Sequence, residues 1–174
     1  YGGQDFGAGL DLASLSAAQG VKIVGALADD YSGVSVSSAG DVNGDGYADL
    51  IVAADSTYPA GGAYVVYGKP VGSDVVIAPS GSIAASDGYQ ITGNVGFRVS
   101  SAGDVNGDGL ADLLVKGADA YVVYGNSTGT GVDLSGGTIS AGRGYKLTGL
   151  TTVTTQFGFS VSSAGDVNGD GFAD

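Results

Sequence analysis

Residues 36–49 read Val-Ser-Ser-Ala-Gly-Asp-Val-Asn-Gly-Asp-Gly-Tyr-Ala-Asp, and this fourteen-residue stretch recurs at 99–112 and 161–174 with a single change. The changed position holds an aromatic or apolar residue in each copy: Tyr47, Leu110 and Phe172. The last nine residues of each copy carry three carboxylates and one amide, and charges packed this closely repel one another unless a cation lies between them. Each copy is therefore a candidate cation-binding loop.

The spacing of the oxygen-bearing side chains predicts calcium ligands at loop positions 1, 3, 5, 7 and 9. Position 7 carries no charged side chain, so we expect it to contribute its backbone carbonyl. Calcium tolerates such an irregular set of oxygens better than magnesium, and glycines at positions 4 and 6 permit the positive φ of a tightly curved loop. The candidate ligands for up to three Ca²⁺ ions are Asp41, Asn43, Asp45, Tyr47 and Asp49 in loop 41–49, Asp104, Asn106, Asp108, Leu110 and Asp112 in loop 104–112, and Asp166, Asn168, Asp170, Phe172 and Asp174 in loop 166–174.

The loop motif has two other interpretations, a turn without metal and an EF-hand. Asn-Gly and Asp-Gly are strong turn formers, so the motif could form a turn that binds no metal. The Asp kept at position 9 in all three copies favours a metal site. An EF-hand needs a bidentate Glu at position 12 and flanking helices, but the chain contains no Glu, and position 12 is Val52 or Val115.

The composition argues against several classes of function. All eighteen acidic residues are Asp, only six Lys and Arg are present, and the net charge of −12 disfavours binding to nucleic acid or to an anionic membrane. No apolar stretch approaches the roughly 20 residues of a transmembrane helix. Without His or Cys, a Ser-His-Asp triad, a thiol nucleophile and an imidazole zinc site are all impossible. Paired carboxylates can cleave glycosides, but identical repeated clusters are unlike an active site, so we expect no enzymatic activity.

The segments around the loops also repeat, and they predict β-strands. An alternating segment at 34–37 precedes the first loop, an apolar run at 50–53 follows it, and a third strand is expected at 63–68. A shorter, more polar strand such as 89–93 suits an outer edge. Four strands in about 60 residues are typical of β-propeller blades, whereas the alternative, a β-solenoid, has shorter repeats. We therefore predict an all-β fold of about three four-stranded blades.

The repeats divide the chain into four parts. Residues 1–20 are interpreted as the end of a preceding blade and an inter-blade connection, 21–87 as the first repeat, 88–143 as the second, and 144–174 as the start of the third. A closed propeller needs at least four blades. We therefore expect an incomplete ring that is completed by a longer parent chain or by self-association.

These residues resemble the FG-GAP repeat, the blade unit of the integrin α-subunit propeller and of many bacterial secreted or surface proteins. The Phe-Gly signature stands as Phe157-Gly158 in the third repeat and is altered to Ser32-Gly33 and Val95-Gly96 in the others, while the loop matches in all three. The resemblance covers roughly residues 21–174. It implies a propeller with calcium in the loops between the first and second strands of each blade, in an extracellular setting.

The function expected from these features is that of a calcium-binding, non-catalytic extracellular segment for adhesion, ligand display or assembly, in which calcium rigidifies the blade loops. Its partner would be an unidentified extracellular protein or glycan. Two alternatives remain at this stage: a self-assembling structural protein of a surface or filament, and a targeting or regulatory propeller segment of a secreted hydrolase.

Overall fold

A computed structural model describes residues 11–54, 62–70, 73–95, 98–148 and 160–174. Within these ranges the regular secondary structure consists of strands, apart from one short 3-10 helix at Leu12–Ser14, and the predicted all-β fold is confirmed. No helix in the described part of the chain has the length and apolar character needed to cross a membrane. The strands are β1 (Ile23–Val24), β2 (Ser35–Gly40), β3 (Asp49–Ala54), β4 (Gly62–Val66), β5 (Val75–Val76), β6 (Gly88–Thr92), β7 (Arg98–Gly103), β8 (Asp112–Lys116), β9 (Ala120–Val123), β10 (Val132–Asp133) and β11 (Gly144–Leu147).

The strands form two antiparallel blades of the predicted four-stranded kind. The first blade has the order β2-β3-β4-β6, and the second has the order β7-β8-β9-β11. The two are built alike: β2 and β7 each carry an irregularity at the Ser-Ala-Gly that precedes the loop, and β3 and β8 each begin at the Asp that ends it. Two complete blades in the described residues do not close a ring, as the repeat count predicted.

The boundaries of the sequence repeats differ from those of the sheets. The strand at 88–92, which opens the second sequence repeat, pairs with β4 of the first blade, with Ala63 opposite Ile91. Likewise, the strand at 144–147 pairs with β9 of the second blade. A long connection separates this outer strand from the rest of its blade, so the linear repeat does not reveal which sheet it joins. Residues 1–10 and the Phe157-Gly158 signature lie outside the described residues.

The core lies between the two blades, where β2 packs beside β7. Ile51, Val65 and Ile91 from the first blade meet Leu113 and Val123 from the second, and all five are 0% exposed. Burying a side chain of this size stabilises the fold by about 1.5–3 kcal/mol. Packing of one blade on the next is therefore a principal source of stability.

The inner strands show that the alternating pattern alone does not determine burial. Val36 in β2 is 54% exposed, whereas its counterpart Val99 in β7 is 6% exposed. The amide of Val99 also donates to the Ser35 hydroxyl of β2, at 3.2 Å. The apolar side of β7 faces the first blade, whereas no described residue covers the same side of β2. The expected buried face is thus observed in β7 and not in β2.

Each blade has a short parallel strand in the connection between its third and fourth strands, and in the second blade this strand pairs with the sheet of the first. β10 lies in the connection between the third and fourth strands of the second blade, and it pairs with β6, placing Val132 opposite Ile91. β5 occupies the same position in the first blade and pairs with β1, placing Val75 opposite Ile23. We call β5 and β10 the bridging strands. β10 extends the outer edge of the first blade, whereas β5 and β1 form a separate two-stranded sheet.

Candidate calcium loops

The first two loops lie where the resemblance implied, between the first and second strands of a blade. Loop 41–49 connects β2 to β3, and loop 104–112 connects β7 to β8. Loop 166–174 repeats the same internal hydrogen bonds. In all three loops the glycines at positions 4 and 6 have φ between 73° and 94°, which is the left-handed conformation that the glycines were expected to supply.

The Asp at position 1 organises each loop. Oδ1 of Asp41 accepts the amides of Gly44 (2.7 Å) and Asp45 (3.1 Å), and Oδ2 accepts the amide of Gly46 (2.9 Å). Asp104 and Asp166 accept the corresponding three amides at 2.7–3.1 Å. A short carboxylate that accepts nearby amides in this way holds the backbone in a turn.

Positions 3 and 5 are joined to each other. In the first loop Asn43 Oδ1 accepts the amide of Asp45 at 2.9 Å, and Asn43 Nδ2 donates to Asp45 Oδ2 at 2.9 Å. Asp45 Oδ1 in turn accepts the amide of Tyr47 at 2.9 Å. A carboxylate offers about four lone-pair sites, so these oxygens retain acceptor capacity.

The Asp at position 9 is buried in the two complete loops. Asp49 is 1% exposed, with Oδ2 accepting the amide of Val42 (2.9 Å) and Oδ1 that of Gly68 (2.8 Å). Burial raises the pKa of Asp49, the amides of Gly68 and Val42 partly offset this, and the charges of Asp45 and Asp41 raise the pKa further. The carboxylates of one loop therefore act on one another electrostatically.

Asp112 repeats this arrangement, and Asp174 repeats only part of it. Asp112 is 0% exposed and accepts the amides of Val105 and Gly125, each at 2.9 Å. Asp174 is exposed and accepts the amide of Val167 at 2.9 Å.

The donor set fits a hard cation in its chemistry. Each loop brings three carboxylates, one amide oxygen and a position-7 carbonyl into nine residues, and calcium is bound by oxygens of these kinds. Across the described residues, however, no three acidic side chains converge closely enough to hold a metal ion together. Instead, both carboxylate oxygens of each position-1 Asp accept amides of their own loop.

The Gly before each loop and the Ala at position 8 of the next loop form a contact between neighbouring loops. This contact was not predicted from the sequence. The Ala111 amide donates to the Asp41 carbonyl at 2.9 Å, and a Cβ added at Gly40 would lie 2.5 Å from the Cβ of Ala111. A Cβ at Gly44 would lie 3.0 Å from Cδ2 of Leu110. The side chain at position 7 therefore packs on the preceding loop. The identity of the Gly before the loop and of the Ala at position 8 in all three copies was the available signal.

The same contact joins the second and third loops. The Ala173 amide donates to the Asp104 carbonyl at 3.1 Å. A Cβ at Gly103 would lie 2.5 Å from the Cβ of Ala173, and Phe172 packs against Gly107. The three loops thus form a stack.

Two buried tyrosine hydroxyls lie near the first loop. Tyr67 and Tyr89 meet edge to face with ring centroids 6.2 Å apart. In the described part of the chain, neither hydroxyl has a hydrogen-bond partner. Burial raises the pKa of both tyrosines. The neighbouring Tyr67 and the charge of Asp49 raise the pKa of Tyr89 further, whereas the charge of Arg143 lowers it. Both hydroxyls therefore stay protonated at neutral pH.

Comparison with known proteins agrees with this architecture. A family model of FG-GAP-like repeats matches residues 41–115, which run from the first loop into β8. Integrin alpha-3 of Cricetulus griseus is 30% identical over 152 residues, covering 83% of this chain and 14% of that protein. Phosphatidylinositol-glycan-specific phospholipase D of Mus musculus is 28% identical over 152 residues, covering 78% of this chain and 17% of that protein.

A third relative, integrin alpha pat-2 of Caenorhabditis briggsae, is 38% identical over 86 residues, covering 48% of this chain and 7% of that protein. The chain thus spans less than a fifth of the length of each of these relatives. The repeated loop, the four-stranded blades and these matches lead to one conclusion: the chain carries FG-GAP-like repeats and is similar to integrin α subunits.

Proposed function

We propose that this chain is a calcium-binding, non-catalytic segment of an extracellular propeller that serves adhesion or ligand display, with calcium rigidifying the blade loops. The observation that carries the proposal is the threefold repetition of one donor set on one backbone conformation. In the first loop, Asp41, Asn43, Asp45 and Asp49 would hold the ion with the carbonyl of Tyr47. The second and third loops would use the corresponding residues.

Electrostatics supports a cation at these positions. Like charges repel one another, and the charges of Asp45 and Asp41 add to the rise in the pKa of the buried Asp49. A divalent ion would replace this repulsion with attraction. At about 1 mM calcium and a dissociation constant near 10⁻⁴ M, each occupied loop would add about 1.4 kcal/mol to stability.

The absence of catalysis and the extracellular setting are supported less directly. The chain has no His or Cys, and its acidic groups are three copies of one cluster. Integrin α subunits of several species are among its relatives. An unidentified extracellular protein or glycan is the partner that these relatives suggest.

A second candidate is a targeting or regulatory segment of a secreted hydrolase. The match to a phosphatidylinositol-glycan-specific phospholipase D favours it. This candidate shares the calcium loops, and it also predicts that this chain alone does not hydrolyse a substrate. The two candidates differ in the partner. In the first it is an adhesion ligand, and in the second it is the surface that carries the substrate of the hydrolase.

Calorimetric titration of the metal-depleted chain with CaCl₂ tests the proposal. Asp45→Asn, Asp108→Asn and Asp170→Asn should each weaken one loop by about tenfold or more, because affinity depends on the charge of the ligand set. Asp133→Asn makes the same charge change outside the loops and should leave every loop unchanged. The absence of binding up to about 10 mM calcium, well above the 10⁻⁴–10⁻³ M typical of extracellular modules, would refute it. An equal response to MgCl₂ would refute selectivity for calcium.

A further inference from the structure

A continuous series of hydrogen bonds joins the first loop to the second. The Val42 amide donates to Asp49 Oδ2 at 2.9 Å, and the Val42 carbonyl accepts the amide of Asn126 at 2.8 Å. The preceding residue, Gly125, donates its amide to Asp112 Oδ1 at 2.9 Å. Two adjacent peptide groups after β9 therefore connect the position-9 carboxylate of one loop to that of the next.

A second connection runs through the loop stack. The backbone carbonyl of Asp41, the residue at position 1 of the first loop, accepts the amide of Ala111 at 2.9 Å. Ala111 lies between positions 7 and 9 of the second loop. Because Leu110 also packs against Gly44, the backbone of each loop is held in place by the other.

We propose that loops 41–49 and 104–112 bind calcium with positive cooperativity, transmitted through Gly125 and Asn126. This inference rests on the proposed function. It extends that function, because it makes two neighbouring blades respond to calcium as one unit.

The sign of the coupling follows from the contacts. A cation in the first loop restricts the Asp41 and Val42 peptide groups, which in turn restrict Ala111 and Asn126. The second loop then loses less conformational entropy when it binds its own ion. Coupling between sites is reciprocal, so the second loop must favour binding at the first by the same factor.

Nitrogen-15 NMR titration with CaCl₂ reads each loop separately. The amides of Gly46, Gly109 and Gly171 each donate to the position-1 Asp of their own loop, at 2.8–2.9 Å, and so report binding there. Asp45→Asn weakens the first loop, and Asp133→Asn is its matched control, since it removes the same charge outside the loops.

We expect Asp45→Asn to raise the calcium midpoint at Gly109 by about fivefold or more, the lower range of allosteric coupling, and Asp133→Asn to raise it less than about twofold. Asp108→Asn should shift the Gly46 midpoint by the same factor as Asp45→Asn shifts that of Gly109. In the unaltered chain, Gly46 and Gly109 should titrate together and more steeply than a single site.

Equal effects of Asp45→Asn and Asp133→Asn, or single-site curves at Gly46 and Gly109 in the unaltered chain, would overturn the coupling and leave the proposed function standing. A chain in which no loop binds calcium would overturn both. The unaltered-chain curves decide the question even if a substituted chain does not fold.

Discussion

Replacing Gly40 with Ala tests whether loop stacking holds the blades together. Gly40 has φ +74°, and its added Cβ would lie 2.5 Å from the Cβ of Ala111. A left-handed Ala costs roughly 1–2 kcal/mol from backbone strain, and overpacking at a fixed contact adds about 1–3 kcal/mol. We therefore expect Gly40→Ala to lower the free energy of unfolding by about 2–5 kcal/mol, measured by urea denaturation followed by circular dichroism.

Gly46→Ala is the matched control. Gly46 has φ +87°, and no described atom lies within 4 Å of its added Cβ, so it should lose only the strain of about 1–2 kcal/mol. Adding Ala111→Gly to Gly40→Ala removes the opposing methyl group and should recover most of the overpacking cost, as a double-mutant cycle. If Gly40→Ala and Gly46→Ala destabilise equally, or if Ala111→Gly gives no recovery, the stacking argument is wrong.

Three further predictions concern individual side chains. Burial raises the pKa of Asp49 above its ordinary value of 3.8. The contribution of Asp49 to stability is therefore fully present below about pH 3.8 and is lost as pH rises through the raised pKa. Thermal scans in calcium-depleted buffer should show this loss, and calcium at neutral pH should reverse it. Tyr89→Phe removes a hydroxyl without a described partner and should be neutral or stabilising, whereas Tyr64→Phe loses the bond from Gln90 (3.0 Å) and should cost about 0.5–1.5 kcal/mol. Leu113→Ala in the core should cost about 2–5 kcal/mol, against under about 0.5 kcal/mol for Leu12→Ala, which is 69% exposed; similar losses would contradict the placement of the core.

The internal conformation of the loops could be predicted from the sequence because it is local. Asp41 accepts amides from residues three to five positions away, and Gly44 and Gly46 take the left-handed conformation that their type permits. The strands followed from their patterns and spacing for the same reason. Each prediction depended on neighbours in the chain.

Contacts between distant residues could not be predicted in this way. Asp49 was interpreted only as a ligand, although its Oδ1 also accepts the amide of Gly68, nineteen residues away. Gly40 and Ala111 belong to different repeats, and their contact depends on the angle between two blades. The sheet that strand 88–92 joins depends on the path of a long connection. No local pattern records any of these arrangements.

The bridging strands change how the blades would come apart. Repeat proteins whose units touch only through side chains can lose one terminal unit at a time. Here, β10 hydrogen-bonds to the edge of the first blade while its own chain continues into the second. Separating the blades therefore requires breaking the backbone pairing of β10 with β6 as well as exposing the core residues between the blades to water. Under mechanical tension or limited proteolysis, we expect the two blades to unfold together and not one at a time.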